Sequence, residues 1–210
     1  MATEPSPNMI EQALEWAVDV DVPALEASVQ ALRDKHPNDD EQALAQRIYA
    51  QATWKAAATG VVTGLPANPW TAAPAAVTDV AITLRIQVLA TAKTALVYDP
   101  RFFEDDCAQW ELLVPVLGID ATSQMARELG VRSGMGITRV AIRKYLSKTT
   151  LKQFKKLMWK YFGLKVTQKG VVTKTLPIVG GIIGGTWNWV EVRALRARTI
   201  SYFEGRALSA

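Results

Sequence analysis

The predicted fold depends on one stretch, PAAVTDVAITLRIQVLATAKTALVYDP (74–100). Its apolar residues form two stripes at helical spacing: Val77, Ala81, Leu84, Val88 and Ala92 in one, and Ile82, Ile86, Leu89 and Leu96 in the other. A helix that is apolar on most of its sides is buried among other elements. Asp99-Pro100 ends the pattern, because proline cannot continue a helix. The sequence therefore predicts a central, buried helix from Pro74 to about Tyr98.

The residues before this helix also favour helices. Ser6-Pro7 begins one that reaches about Val18, and Asp21 caps a second that ends near His36-Pro37. Asn38, with Glu41 three residues later, resembles a capping box and starts a third helix to about Thr59. A Gly/Pro-rich turn over 60–74 follows.

Further helices are predicted after Pro100. Their approximate ranges are 103–117, 120–129, 135–147, 150–162, 165–174, and a last one from Pro177 to about Phe203. No segment alternates polar and apolar residues between turn signals, as a strand would. We therefore predict an all-α protein, a compact bundle of about seven to nine helices around the central one, with no sheet.

Charge is distributed unevenly along the 210 residues. Residues 1–50 contain ten acids and three bases, a net charge of −7, whereas residues 51–210 have a net charge of +11. We predict a boundary near Pro37, between an acidic N-terminal helical pair (1–37) and a larger helical domain (38–210).

The strongest local feature is basic. From Leu129 to Val190 there are twelve Lys and Arg and no acid, which suits an anionic membrane, a nucleic acid or an acidic protein. A solvated helix face, or a surface that docks on the acidic N-terminal segment, is the plainer interpretation. If the partner is a membrane, we expect the headgroup contacts at Lys148, Lys152, Lys155 and Lys156.

Two further features carry polar or packing information. Asp79 lies inside the central helix, where a buried carboxylate needs partners; it is either a structural anchor or a polar anchor in a ligand cavity. The segment IVGGIIGG (178–185) has four glycines in six residues. Such spacing allows close approach of another helix, or forms a groove for a lipid tail, or a hinge.

The sequence has no recognisable catalytic motif. One Cys and one His exclude a disulfide framework and a Cys/His zinc site, and no phosphate loop or dinucleotide motif is present. We therefore predict a protein that is not an enzyme and has no cofactor or metal. The uncharged stretches 56–78 and 175–190 are broken by Gly and Pro or are shorter than the roughly 20 residues of a membrane span, so no transmembrane helix is predicted.

Two blocks of sequence resemble the signatures of the bacterial EcsC protein family. They are ATGVVTGLPANPWTAAPAAVTDVAITLRIQVLATAKTALVYDP (58–100) and KTLPIVGGIIGGTWNWVEVRALRARTISYF (174–203). The residues that match the pattern are Gly60, Gly64, Leu65, Pro66, Asp79, Pro177, Gly180, Gly181, Gly184 and Asn188. The chain departs from the family where Asp99, and not the usual glycine, follows Tyr98.

The resemblance implies an α-helical, unusually apolar, cytoplasm-facing protein, and the family's name, taken from a gene beside an ABC transporter, indicates membrane-related work. We expect a cytoplasmic location, peripheral at the inner face of the cell membrane. The resemblance implies no catalytic residue. Two hypotheses result. One is a peripheral protein that binds a membrane surface or a lipid-like ligand; the other is a soluble interaction or scaffold module whose basic face docks an acidic protein or, without a specific motif, a nucleic acid.

Overall fold

A computed structural model describes residues 7–63, 72–104, 108–117 and 180–207. These ranges contain helices and no strand, which confirms the all-α prediction for the described part of the chain. The helices are α1 (Pro7–Val18), α2 (Val22–Lys35), α3 (Glu41–Thr63), α4 (Ala72–Tyr98), α5 (Ala108–Glu111), α6 (Leu113–Leu117) and α7 (Gly180–Ala207), with a 3-10 turn at Phe102–Glu104.

Several predictions lie outside the described residues. They are the helices over 120–174, Gly64, Leu65, Pro66 and Pro177, and the four lysines Lys148, Lys152, Lys155 and Lys156.

Aspartates cap two of the N-terminal helices. Asp21 caps α2 as predicted, since its side chain accepts a hydrogen bond from the Ala24 amide at 3.1 Å. The capping box predicted at Asn38 is wrong: α3 begins at Glu41, and the Asp40 carboxylate accepts from the Ala43 amide at 2.7 Å. An N-cap side chain reaches the amide three residues ahead, so the first helical residue decides which of these neighbouring polar residues caps.

Helices extend into both ends of the range 60–74 that was predicted to be a turn. Helix α3 continues through Gly60 to Thr63, and α4 already begins at Ala72. Pro74 therefore lies in the first turn of α4, where its missing N–H removes no intrahelical hydrogen bond.

The single helix predicted over 103–117 is also wrong. A 3-10 turn, α5 and α6 occupy the described parts of that range. Pro115 is the third residue of α6. It has no N–H to donate to the Glu111 carbonyl, and this accounts for the restart of the helix at Leu113.

Helix α4 packs against α1, α2, α3, α6 and α7, and α3 and α7 pack against each other. Val88, Ala92 and Ala95 of α4 have no exposed surface. Ala17, Val18, Leu25 and Val29 of α1 and α2 belong to the same apolar cluster. The domain boundary near Pro37 stays a prediction.

Side-chain contacts fix the direction of three helices. Tyr49 and Ala56 of α3 bond Thr199 and Asn188 of α7, respectively, so these two helices are antiparallel. Thr91 of α4 contacts Tyr49, which bonds Thr199 of α7, and Tyr98 of α4 bonds Glu204 of α7. The later residue of α4 meets the later residue of α7, so these two helices are parallel. The C-terminal end of α3 and the N-terminal ends of α4 and α7 therefore lie at the same end.

Thr78–Tyr98 is long and apolar enough to cross a bilayer, with 21 residues and a mean hydropathy of 1.5. The prediction of no transmembrane helix rested on the neighbouring stretches 56–78 and 175–190. In the structure 72% of it is buried against other helices, as in the core helix of a protein outside the membrane. Length and composition are therefore weak support for a span here.

Candidate functional site

A row of polar side chains runs along the otherwise apolar helix α4. Asp79, Thr83, Gln87 and Thr91 follow each other at a spacing of four, and at most 4% of each is exposed. Residues four apart are neighbours on a helix surface, so the row forms one slanting ridge. Burying such groups is unfavourable unless they are hydrogen-bonded. Along this ridge, the core therefore has to supply hydrogen-bond partners for four buried polar side chains.

At its Thr91 end the ridge joins a chain of hydroxyl groups. The Tyr49 hydroxyl donates to Thr199 Oγ1 at 2.7 Å and lies 3.1 Å from Thr91 Oγ1. Thr91 Oγ1 also donates to the Gln87 carbonyl at 2.8 Å. Since Tyr49 gives its own proton to Thr199, the single hydroxyl proton of Thr91 is the one available to both the Gln87 carbonyl and the Tyr49 oxygen. The three hydroxyls link α3, α4 and α7 where at most 1% of each residue is exposed.

The surroundings of Tyr49 favour its protonated phenol. Burial raises the pKa of Tyr49 from 10.0 to about 12, although its hydrogen bonds to Thr199 and Thr91 act in the opposite direction. The group is therefore protonated at neutral pH. It serves as a hydrogen-bond donor and acceptor and not as a general base.

Asn188 of α7 makes a second buried contact with α3, away from Tyr49. Its side-chain amide donates to the Ala56 carbonyl at 3.3 Å, and the residue is completely buried. Asn188 thus ties α7 to α3. Asp79 is 3% exposed, and its role as a structural anchor or as a ligand anchor stays a prediction.

Phenols and carboxylates meet where α4 and α7 end. Tyr98 donates to Glu204 at 3.3 Å, and Tyr202 donates to Glu111, which is 1% exposed, at 3.0 Å. Burial, and secondarily the charge of Glu204, raise the pKa of Tyr98 to about 12. The Phe203 ring stacks on Tyr98 with centroids 6.5 Å apart. This end of the molecule is held by aromatic packing.

Cationic side chains hold α1 and α2 on the opposite side of α4. Arg85 donates to the Trp16 and Asp19 carbonyls at the end of α1, and its guanidinium lies 4.5 Å from the centre of the Trp16 ring. Arg33 of α2 donates to the Val97 carbonyl at 2.7 Å, and Lys93 donates to Ser28 at 2.6 Å. Burial, and secondarily the charge of Lys55, lower the pKa of Lys93.

The structure brings together only part of the predicted set. Gly60, Gly180, Gly181 and Gly184 all lie within helices, and Asn188 lies in a helix contact. Among the described residues no group of three His, Cys, Asp or Glu side chains is placed to bind a metal. Tyr49, Thr91 and Thr199 were not predicted from the sequence. The four-residue spacing from Asp79 to Thr91 could have indicated the ridge, but nothing in the sequence pairs it with Tyr49.

No protein-family model matches the sequence, and neither the curated proteins nor the solved structures give a match. The resemblance to the EcsC family remains a prediction.

Proposed function

We propose that this chain is a non-enzymatic helical protein of the EcsC family that binds an anionic membrane surface or a lipid-like ligand. One observation carries the proposal: twelve Lys and Arg and no acid between Leu129 and Val190. Each basic residue near an anionic bilayer contributes about 1 kcal/mol of attraction. Lys148, Lys152, Lys155 and Lys156 make the headgroup contacts, and the glycine-rich segment around 175–190 inserts or accepts an acyl chain.

The same proposal includes the architecture and the location. The full chain is a bundle of about seven to nine helices around α4, in the cytoplasm and attached peripherally to the inner face of the membrane. The buried hydroxyls of Tyr49, Thr91 and Thr199 bond one another across helices, which supports a structural and not a catalytic role for these groups.

Vesicle flotation of the full chain tests this function. The four lysines are replaced together by glutamine, and anionic and neutral vesicles are compared at low and high salt. We expect the wild type to bind anionic vesicles, part of that binding to survive high salt, and the variant to lose most of it. Unchanged binding of the variant would contradict the basic-face mechanism.

A matched control neutralises four bases elsewhere. The side chains of Lys35, Arg47 and Arg101 are exposed and that of Arg196 is partly exposed, and their replacement by glutamine removes the same net charge. Arg47 forms an exposed ion pair with Asp39, whose loss has little effect on stability. If this control loses binding as the test variant does, the effect is one of net charge and not of the proposed face.

A second candidate is a soluble interaction module, favoured by the opposite charges of residues 1–50 and 51–210. Purely electrostatic docking on an acidic protein should disappear at high salt, because the Debye length falls to about 3 Å at 1 M. Titration with polyglutamate, in parallel with the flotation, separates the two functions. Binding to polyglutamate without binding to vesicles would favour the module.

A further inference from the structure

Trp54 stands out on the surface of α3. Its side chain is 74% exposed, the largest exposed fraction among the large apolar side chains of the described residues. Ala50 and Ala58, one turn before and after it on the same side of the helix, are also exposed. Because these neighbours carry only methyl groups, the indole is the most prominent side chain on this part of the helix.

The charged residue nearest to Trp54 in the sequence is basic. After Glu41, α3 contains no acid, and the exposed Lys55 is adjacent to Trp54. Burial, and secondarily the charge of Lys55, lower the pKa of Lys93 of α4, so the two ammonium groups repel each other. An anion against Lys55 would be attracted by both lysines.

Trp16 gives a comparison within the same chain. It is 46% exposed on α1, but the Arg85 guanidinium covers its ring, and the exposed Glu15 and Asp19 are its close neighbours in sequence. Trp16 thus has a partner inside the protein and acidic surroundings. Trp54 has a neighbouring cation, and its own helix has no acid after Glu41.

We propose that the outer face of α3 formed by Ala50, Trp54, Lys55 and Ala58 docks on an anionic lipid bilayer. The indole of Trp54 enters the headgroup region, because an amphipathic aromatic ring is most stable at the membrane interface. Lys55 contacts the lipid phosphates. The inference rests on the proposed membrane function and adds a contact surface separate from Lys148, Lys152, Lys155 and Lys156.

A fluorescent reporter tests where the bilayer lies. In a Cys107→Ser background, Ala58→Cys carries an environment-sensitive nitrobenzoxadiazole dye, and Ala31→Cys on the exposed side of α2 is the matched control. Vesicles contain 30% phosphatidylglycerol in phosphatidylcholine. We expect a blue shift and brighter emission for the dye at 58 and no change at 31. If the dye at position 58 has the same emission in the vesicle-bound protein as in the free protein, the proposal is overturned.

Substitution of the two tryptophans gives an independent test. We expect Trp54→Ala to weaken binding to these vesicles about tenfold at high salt, the size for losing partial burial of one aromatic side chain, and Trp16→Ala to leave it unchanged. Circular dichroism checks that both variants fold. Equal effects of the two substitutions would overturn the proposal.

Failure of the membrane function and failure of the docking face on α3 give different results. If the wild type does not bind anionic vesicles, the membrane function itself is wrong. If it binds through Lys148, Lys152, Lys155 and Lys156 and Trp54→Ala has no effect, only the docking face on α3 is wrong. Loss of binding to an acidic peptide on Trp54→Ala, without vesicle binding, would assign this face to a protein partner and overturn the lipid proposal.

Discussion

Helix α4 is held on its two sides by different chemistry. Towards α3 and α7 it is joined by neutral hydroxyls, through Thr91, Tyr49 and Thr199, that are almost completely buried. Towards α1 and α2 it is joined by cations that bond carbonyl or hydroxyl oxygens while keeping part of their surface in water. Of these two contacts, the deeper one uses neutral groups and the shallower one uses charged groups, although the same core also buries the carboxyl groups of Asp79 and Glu111.

The physical reason is desolvation. A hydroxyl can be taken fully out of water if each hydrogen bond is replaced, whereas a charge buried to the same depth loses far more solvation energy. Arg and Lys can instead lay their apolar stems along α4 and keep the charged ends near solvent. We therefore expect the hydroxyl side to break only in global unfolding and the cation side to open locally.

At alkaline pH, the two sides of α4 should change the free energy of unfolding in opposite directions. The pKa of Tyr49 is raised from 10.0 to about 12, so its contribution is complete below pH 10 and is lost as pH rises towards 12. Two pKa units correspond to a fall of about 3 kcal/mol in the free energy of unfolding. The pKa of Lys93 is lowered instead, so the native state binds fewer protons than the unfolded one and stability rises as pH approaches 10.5.

Urea unfolding between pH 8 and pH 12 measures both effects. Tyr49→Phe should reduce the fall above pH 10, leaving the part due to Tyr98, whose pKa is also raised to about 12. Lys93→Met should remove the rise below pH 10.5. If wild type and Tyr49→Phe lose stability in parallel above pH 10, Tyr49 does not carry the alkaline limb.

A double-mutant cycle should measure the hydroxyl side at neutral pH. Tyr49→Phe leaves the Thr199 hydroxyl without its donor, whereas Thr91 keeps the Gln87 carbonyl, so we expect a loss of about 2 kcal/mol. Thr199→Val should cost a similar amount. The double variant should lose less than the sum, because each change removes the same hydrogen bond.

Additive losses in chemical unfolding would mean that the hydroxyl of Tyr49 is not coupled to that of Thr199. Thr59→Val is the matched control, because its hydroxyl donates to the Lys55 carbonyl of the same helix, near solvent. It should change stability by less than about 0.5 kcal/mol.

The sequence predicted the parts of the fold that local signals determine. Val18 and Tyr98 end α1 and α4 as expected, and Asp21 caps α2. Each of these boundaries depends on residues within one or two turns of the chain. The apolar stripes of α4 likewise predicted a helix that others surround, because periodicity alone reports which sides are apolar.

The errors arose where two local signals competed or where distant residues meet. Asp40, and not Asn38, caps α3, although both are good capping residues within three positions. The bond from Tyr49 to Thr199 joins residues 150 positions apart, and no spacing rule connects them. The polar ridge was readable in part, since Thr83 and Gln87 follow Asp79 at helical spacing, but the helices that meet it were not.

The smallest effect is expected on the cation side. Arg85→Met keeps the apolar stem of the side chain but removes its hydrogen bonds to α1 and the contact with the Trp16 ring. The freed carbonyls are near solvent and can bond water, so we expect a loss of only about 1 kcal/mol. Hydrogen exchange should show faster exchange in α1 while the amides of α3 remain protected.

Arg101→Met is the control, since Arg101 is equally basic and lies exposed beyond the end of α4. It should leave exchange in α1 unchanged. If Arg85→Met instead speeds exchange in α3 and α1 alike, then α1 does not open independently. The two sides of α4 would then unfold as one unit, and the difference in their chemistry would have no counterpart in local stability.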